Sequence, residues 1–138
     1  MIVVCLYAYT FALEINHTDI GTYNLLNKKL QPISMQFRLN NNGNKWKMEG
    51  RDNDTSDWAN ISCDKGCELR ASTQKELNYY LKTLTTEEKQ DKYEIGCIQN
   101  VANAFCKIVK KSNSSKIYTL VALVTGKPIP IFLKKIED

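Results

Sequence analysis

The apolar run from Ile117 to Leu133 constrains the fold more than any other stretch of this chain. It is interrupted once, at Thr125-Gly126-Lys127, where glycine can adopt the positive φ of a tight turn. Tyr118 to Val124 is apolar at nearly every position, which predicts a central strand buried on both faces. Pro128 and Pro130 lack backbone N–H donors, so one side of the returning strand can be a free edge. The run therefore predicts a β-hairpin at the centre of a small domain.

Two further regions predict paired strands. Ile33 to Leu39 alternates apolar and polar residues, and after an Asn-Gly turn Trp46 and Met48 continue the alternation as the returning strand. Tyr93 to Lys111 fits either a helical stripe or a strand–turn–strand that leads into the central strand. Cys97 and Cys106 would lie on opposite sides of a straight helix, where each would need a distant partner such as Cys63 or Cys67. If they pair with each other, the chain must turn between them near Asn100 to Asn103, and we therefore favour the strand–turn–strand.

Helical signals are concentrated between the strands. Thr73 and Glu76 form a capping box, and an apolar stripe follows at helical spacing. The capping pattern recurs at Thr85, predicting a second short helix through Asp91. Glu14 to Gln31 is predicted as a short amphipathic turn of helix packed on the core. Together these patterns predict one α+β domain over residues 13–138, with a mostly antiparallel sheet of six or seven strands, arranged as a meander or half-barrel, and one or two inserted helices.

Met1 to Ala12 contains no charged residue and is too short to span a bilayer as a helix. Thr10-Phe11-Ala12 resembles the small-x-small pattern before a signal-peptidase cut, although the usual basic n-region is missing. We interpret the segment as an incomplete signal peptide, the alternative being the first strand of the fold. We therefore expect a periplasmic or secreted protein with no membrane span in its mature chain.

The mature chain then holds four cysteines, and an even number in a short exported chain predicts two disulfides. These are Cys63, Cys67, Cys97 and Cys106. The first two flank a three-residue loop ending in glycine, so they can face each other across a hairpin. A C-x3-C zinc knuckle is the competing interpretation, but its other cysteine pair is too widely spaced. The loop from Asp52 to Asp57 lacks the glycine and glutamate of a calcium loop, and we expect no metal.

The composition argues against several functional classes. The net charge is +4, and the lysines after Ala104 are not interleaved with arginine, which predicts a solvated rim and no nucleic-acid partner. His17 is the only histidine, so a Ser/His or Cys/His catalytic pair has little support. No phosphate-binding glycine loop or nucleophile elbow occurs, and we expect neither a cofactor nor an enzyme.

These exclusions favour a non-catalytic exported protein that binds another protein, as an inhibitor or an immunity-type protein does. Polar loops on a rigid sheet and aromatic side chains are where such contacts concentrate. The candidate binding residues are Asn42, Asn44, Trp46, Asp52, Asp54, Asp57, Trp58 and Tyr79. One alternative is a lipocalin-like carrier of a small apolar ligand, which requires an internal apolar cavity. The other is an enzyme with an unrecognised carboxylate site.

Overall fold

The computed structural model describes residues 13–61, 68–84, 92–124 and 126–136. The expectations for Met1 to Ala12, for Cys63 and Cys67, and for a helix at 85–91 lie outside these ranges. The described elements are a 3₁₀ helix at His17–Asp19, the strands β1 Gly21–Leu26, β2 Pro32–Asn42, β3 Lys45–Arg51, β4 Ala59–Asn60 and β5 Arg70–Ala71, the helix α1 Gln74–Leu84, and the strands β6 Tyr93–Gln99, β7 Asn103–Lys110, β8 Lys116–Ala122 and β9 Ile129–Lys135.

All nine strands belong to one antiparallel sheet with the order β4-β3-β2-β1-β9-β8-β7-β6-β5. The first four strands form one meander and the last five form another. The two meanders are joined where β1 pairs with β9, with Asn24 opposite Lys134. The strand β8 lies inside the sheet, and Tyr118 to Val121 are buried on both faces as predicted for a central strand. The predicted strand was too long, because β8 ends at Ala122 and Val124 is exposed.

The predicted antiparallel α+β class is confirmed, but the strand count of six or seven was too low. Part of the difference is β1, because Glu14 to Gln31 was predicted as a turn of helix and Gly21 to Leu26 is a strand. Tyr23 and Leu25 alternate with polar neighbours over too few residues to separate the two periods. The strand β9 also lies inside the sheet, because Leu133 to Lys135 pair with β1. Pro130 lies outside that pairing, so the free edge is limited to the first half of β9.

The sheet curls into a half-barrel whose concave face holds the main core. Alternate residues of β1, β2, β3 and β6 to β9 point inward and form one buried cluster. Its members are Tyr23, Leu25, Phe37, Leu39, Met48, Ile98, Phe105, Tyr118, Leu120 and Leu133. At its centre the Phe37 and Phe105 rings stack with centroids 5.5 Å apart, and the Tyr23 ring meets Phe105 edge-on, also at 5.5 Å. Ile61 and Leu69 lie at the two opposite edges of the sheet. Both pack against this one cluster, and a curled sheet brings them to it.

The helix α1 covers the opposite, convex face. Leu77 and Tyr80 from α1 pack against residues on the convex face of β6, β7 and β8, including Ile95, Ala104 and Val121. The predicted capping box is present, because Glu76 N donates to Thr73 Oγ1 at 3.2 Å and Thr73 N donates to Glu76 Oε1 at 2.9 Å. Among the described residues no helix has the length and apolarity to cross a membrane.

Cys97 and Cys106 form a disulfide beneath this helix. They are directly opposite each other in the β6–β7 pairing, with Cα atoms 4.2 Å apart, and both side chains are buried. The chain turns between them as predicted, because Asn100 Oδ1 accepts hydrogen bonds from the backbone N–H groups of Ala102 and Asn103. Their sulfurs are therefore bonded to each other and are not zinc ligands.

Candidate functional site

A buried polar cluster closes one end of the half-barrel. Asp19, at the end of the 3₁₀ helix, has no exposed surface, and its Oδ2 lies 2.8 Å from Nζ of Lys107, which is itself buried on the concave face. The Tyr118 hydroxyl donates to Asp19 Oδ1 at 2.9 Å, and the Tyr23 hydroxyl donates to the Asp19 carbonyl oxygen. Asn16 N also donates to Oδ2. The carboxylate is therefore paired and hydrogen-bonded, as burial of a charge requires.

The two tyrosines of this cluster are held in their neutral form. Burial is the main cause that raises the pKa of both Tyr23 and Tyr118 far above the ordinary value, and the Asp19 charge raises both further. A tyrosine that keeps its proton acts as a hydrogen-bond donor and not as a base. The cluster therefore anchors the N-terminal segment to β7 and β8.

The other end of the half-barrel is open and holds an apolar pocket, which we call the end pocket. Its volume is about 400 Å³, within the range of small-molecule sites. Inward-facing apolar side chains form most of its wall, and the loop after β3 contributes the polar part. The lining residues are Leu25, Met35, Gln36, Phe37, Gly50, Arg51, Asp52, Ser56, Asp57, Ala59, Ile61, Leu120 and Ile131.

Three aliphatic residues at this end face inward and yet are exposed. Ile33 and Met35 lie on the same face of β2 as Phe37, and Ile129 lies on the same face of β9 as Ile131. Their exposed fractions are 37%, 44% and 48%. β1 ends at Leu26, so no strand lies between β2 and the first half of β9 here to cover them. The end pocket is thus open to solvent, and the aromatic cluster fills the interior behind it.

A tryptophan between two arginines lies beside the end pocket. The Arg38 guanidinium is 4.4 Å and the Arg51 guanidinium 4.2 Å from the centroid of the Trp58 ring. Arg38 pairs with Glu49, and Arg51 Nε donates to Gln36 Oε1 at 2.8 Å. Strand alternation places these side chains on the convex face, opposite Phe37 and Gly50. Trp58 therefore braces the sheet next to the pocket.

A second, larger concavity lies between α1 and the turns after β6 and β8, and we call it the helix groove. It has a volume of about 1020 Å³ and is wide open. Tyr79 and Val101 are its exposed apolar residues, with 51% and 75% of their surface accessible. The other lining residues are Glu68, Arg70, Lys75, Glu76, Tyr80, Gln99, Asn100, Leu123, Gly126 and Pro128.

The floor of the helix groove is a connected polar network. Arg70 makes two parallel hydrogen bonds to the Glu76 carboxylate, at 2.8 and 2.9 Å. Gln99 is buried and donates to Glu76 Oε2 at 2.8 Å, while its Oε1 accepts from Ser72 and Tyr80. The hydrogen bonds from Arg70 are the main cause that lowers the pKa of Glu76 to about 2, with backbone and side-chain hydrogen bonds from Thr73 adding to the effect. The Glu76 carboxylate is therefore occupied by hydrogen bonds that hold α1 on the sheet.

The sequence-predicted binding residues are spread over several separate places. Asp52 and Asp57 line the end pocket, Trp58 lies between the two arginines, and Tyr79 lines the helix groove. Asn42 is exposed at the end of β2, Asn44 in the turn that follows it, and Asp54 in the loop after β3. Trp46 is half-buried against the concave core. The structure brings Asp52 and Asp57 together at one site and keeps the others apart.

Sequence reasoning missed the residues that shape both ends of the half-barrel. Asp19 and Lys107 are 88 positions apart, and no local pattern relates them. One signal was available, because Lys107 interrupts an otherwise apolar strand where a charge needs a partner. Leu120 and Ile131 in the end pocket looked like ordinary core residues, since periodicity does not reveal which core position borders an opening.

No protein-family model, no curated protein and no solved structure matches this chain. Within the described ranges, no group of three or more His, Cys, Asp or Glu residues is arranged to hold a metal ion. The functional argument therefore rests on the geometry of the end pocket and the helix groove.

Proposed function

We propose that this protein is a non-catalytic binding protein whose site is the end pocket, and that its ligand is a small, largely apolar molecule. The observation that carries the proposal is the exposure of inward-facing aliphatic residues around a 400 Å³ apolar pocket. Covering Met35 and its neighbours with a ligand removes apolar surface from water, at about 25 cal/mol per Å².

The form of the pocket narrows the mode of binding. The interior behind it is filled by Tyr23, Phe37, Phe105 and Tyr118, so the ligand lies at the mouth and is not enclosed as in a deep barrel cavity. A shallow site of this volume suits a short alkyl chain or a small aromatic molecule. The Cys97–Cys106 disulfide supports placing the protein in an oxidising compartment, periplasmic or extracellular.

The proposal is tested by titrating the protein with N-phenyl-1-naphthylamine, a neutral probe whose fluorescence rises in apolar surroundings. We expect saturable binding that is weakened about tenfold or more by Met35→Lys, because the new ammonium would have to be desolvated or displaced. Ile117→Lys is the matched control: Ile117 is similarly exposed but faces the convex side. No saturable binding by the wild type, or equal loss in both variants, would contradict the proposal.

A protein partner is the second candidate, favoured by the helix groove. Tyr79 and Val101 expose apolar surface from two separate elements, and Arg70, Lys75 and Glu68 surround them. An apolar centre with a charged rim is the usual anatomy of a protein interface, and tyrosine is a frequent hot spot. This arrangement supports the inhibitor or immunity-type function.

The interface candidate is tested by affinity capture from the source organism's envelope extract with the wild type and with Tyr79→Ala/Val101→Asp. We expect one protein retained in stoichiometric amount by the wild type and by Ile117→Lys, and lost from the double variant. Retention of the same protein by all three forms would exclude the helix groove as the contact surface.

A further inference from the structure

We infer that the ligand of the end pocket carries a positive charge, so that it is a hydrophobic amine. This inference rests on the proposed function of the end pocket and adds the chemical class of the ligand. It is drawn from the charges on the rim of the pocket, where Arg51, Asp52 and Asp57 are the charged lining residues.

Arg51, the arginine of this rim, already interacts with two neighbouring side chains. The Arg51 guanidinium stacks on Trp58 at 4.2 Å, and its Nε donates to Gln36. Arg51 and Gln36 are paired across β2 and β3 on the convex side of the sheet, whereas Phe37 and Gly50 face the pocket. Arg51 lines the pocket, and its guanidinium is stacked on Trp58 and hydrogen-bonded to Gln36 on the convex side.

Within the part of the chain that the structure describes, the two carboxylates of the rim form no ion pair. Among the described residues neither Asp52 nor Asp57 has a Lys or Arg nitrogen within 4.0 Å, while Glu49 and Glu76 each have a close arginine. Both aspartates are exposed, and both border aliphatic wall residues such as Ile61. A charge next to an apolar wall is less screened by solvent than one on an open surface. The rim is thus complementary to an ammonium attached to an alkyl or aromatic group.

The preference of the pocket for an amine can be estimated from the free energy of partly exposed ion pairs. One such pair is worth roughly 1.4- to 5-fold in affinity. Two carboxylates facing one ammonium should therefore favour an amine over its neutral isostere by roughly 2- to 25-fold. A carboxylate of the same length should bind more weakly than the neutral compound, since like charges repel.

The test compares octylamine, 1-octanol and octanoate by isothermal titration calorimetry at pH 7. We expect affinities in that order, and we expect the advantage of the amine to shrink in 1 M NaCl, where screening extends over only about 3 Å. Asp52→Asn/Asp57→Asn should bring octylamine to the affinity of octanol without changing octanol itself. Asp54→Asn is the matched control, since Asp54 lies in the same loop but does not line the pocket.

The outcomes distinguish a failure of the inferred amine ligand from a failure of the proposed apolar binding site. Equal affinity for all three compounds, or tighter binding of octanoate, overturns the inference of an amine and leaves the apolar pocket in place. If none of the three compounds binds, the proposed function itself fails. An equal effect of Asp54→Asn and of the double variant would also overturn the inference, because it would show that only the total charge matters.

Discussion

The ammonium group of Lys107 lies 2.8 Å from the Asp19 carboxylate, and both groups are buried inside the half-barrel. This ion pair joins the N-terminal segment to the middle of β7. Removing one partner of a buried pair leaves the other charge without compensation and typically costs about 3 to 5 kcal/mol.

We therefore expect Lys107→Met to lower the free energy of unfolding by about 3 kcal/mol or more, as measured by urea denaturation. The double variant Asp19→Asn/Lys107→Met should lose less than the two single variants together, because it removes both charges. Strict additivity of the three values would show that the two groups do not interact.

Glu76 predicts a pH dependence of stability. Its folded pKa is about 2 against an ordinary value of 4.5, so its stabilising effect is complete above about pH 4.5 and is lost as the pH falls towards 2. Solvent in the open helix groove screens part of the effect, which leaves about 1 to 2 kcal/mol. Glu76→Gln should flatten the denaturation profile over that pH range. A wild-type profile parallel to that of the variant would argue against the Arg70–Glu76 pair as the cause.

The Cys97–Cys106 disulfide closes a ring of ten residues, so Cys97→Ala/Cys106→Ala should cost about 2 to 3 kcal/mol in the chain-entropy model. Because both sulfurs are buried under α1, we expect a reductant to act slowly on the native protein and quickly in denaturant. Mass spectrometry after alkylation of free thiols measures both rates. Rapid reduction of the native protein would mean that α1 opens readily.

Gly96 lies against the N-terminal segment, and a Cβ atom at this position would overlap the carbonyl oxygen of Leu13. Gly96→Ala must therefore displace that segment and should cost about 2 kcal/mol or more. Gly50→Ala is the control, because its added Cβ meets only a side-chain methyl group, Ile61 Cγ2, at 3.3 Å and no backbone atom closer than 3.7 Å. Thermal unfolding of both variants tests the difference, and similar melting temperatures would contradict the close contact.

The sequence predicted those parts of the fold that depend on neighbours in the chain. The capping box of α1 and the turn between β6 and β7 are encoded within four or five residues, at Thr73 to Glu76 and at Asn100 to Asn103. The register of a hairpin follows from such a turn, and here it places Cys97 opposite Cys106.

The parts that could not be predicted depend on partners far apart in the chain. The strand β1 has only six residues, and β9, one of its two neighbours, lies more than a hundred positions away. The end pocket likewise arises where β1 ends before the first half of β9, and that mismatch in strand length exists only once the sheet is assembled. Asp52 and Asp57 were named as binding residues from loop polarity, but the apolar wall beside them was not foreseen.

The pairing of β1 with β9 has a consequence for biosynthesis. β1 cannot pair with β9 until β9 has been synthesised. A ribosome adding about 5 to 20 residues per second needs roughly 5 to 20 seconds to make the chain between the two strands. During that time the edge of β1 has no neighbour from β9, and the half-barrel cannot close. A nascent chain of this design therefore keeps an unpaired edge on β1 until β9 has been synthesised.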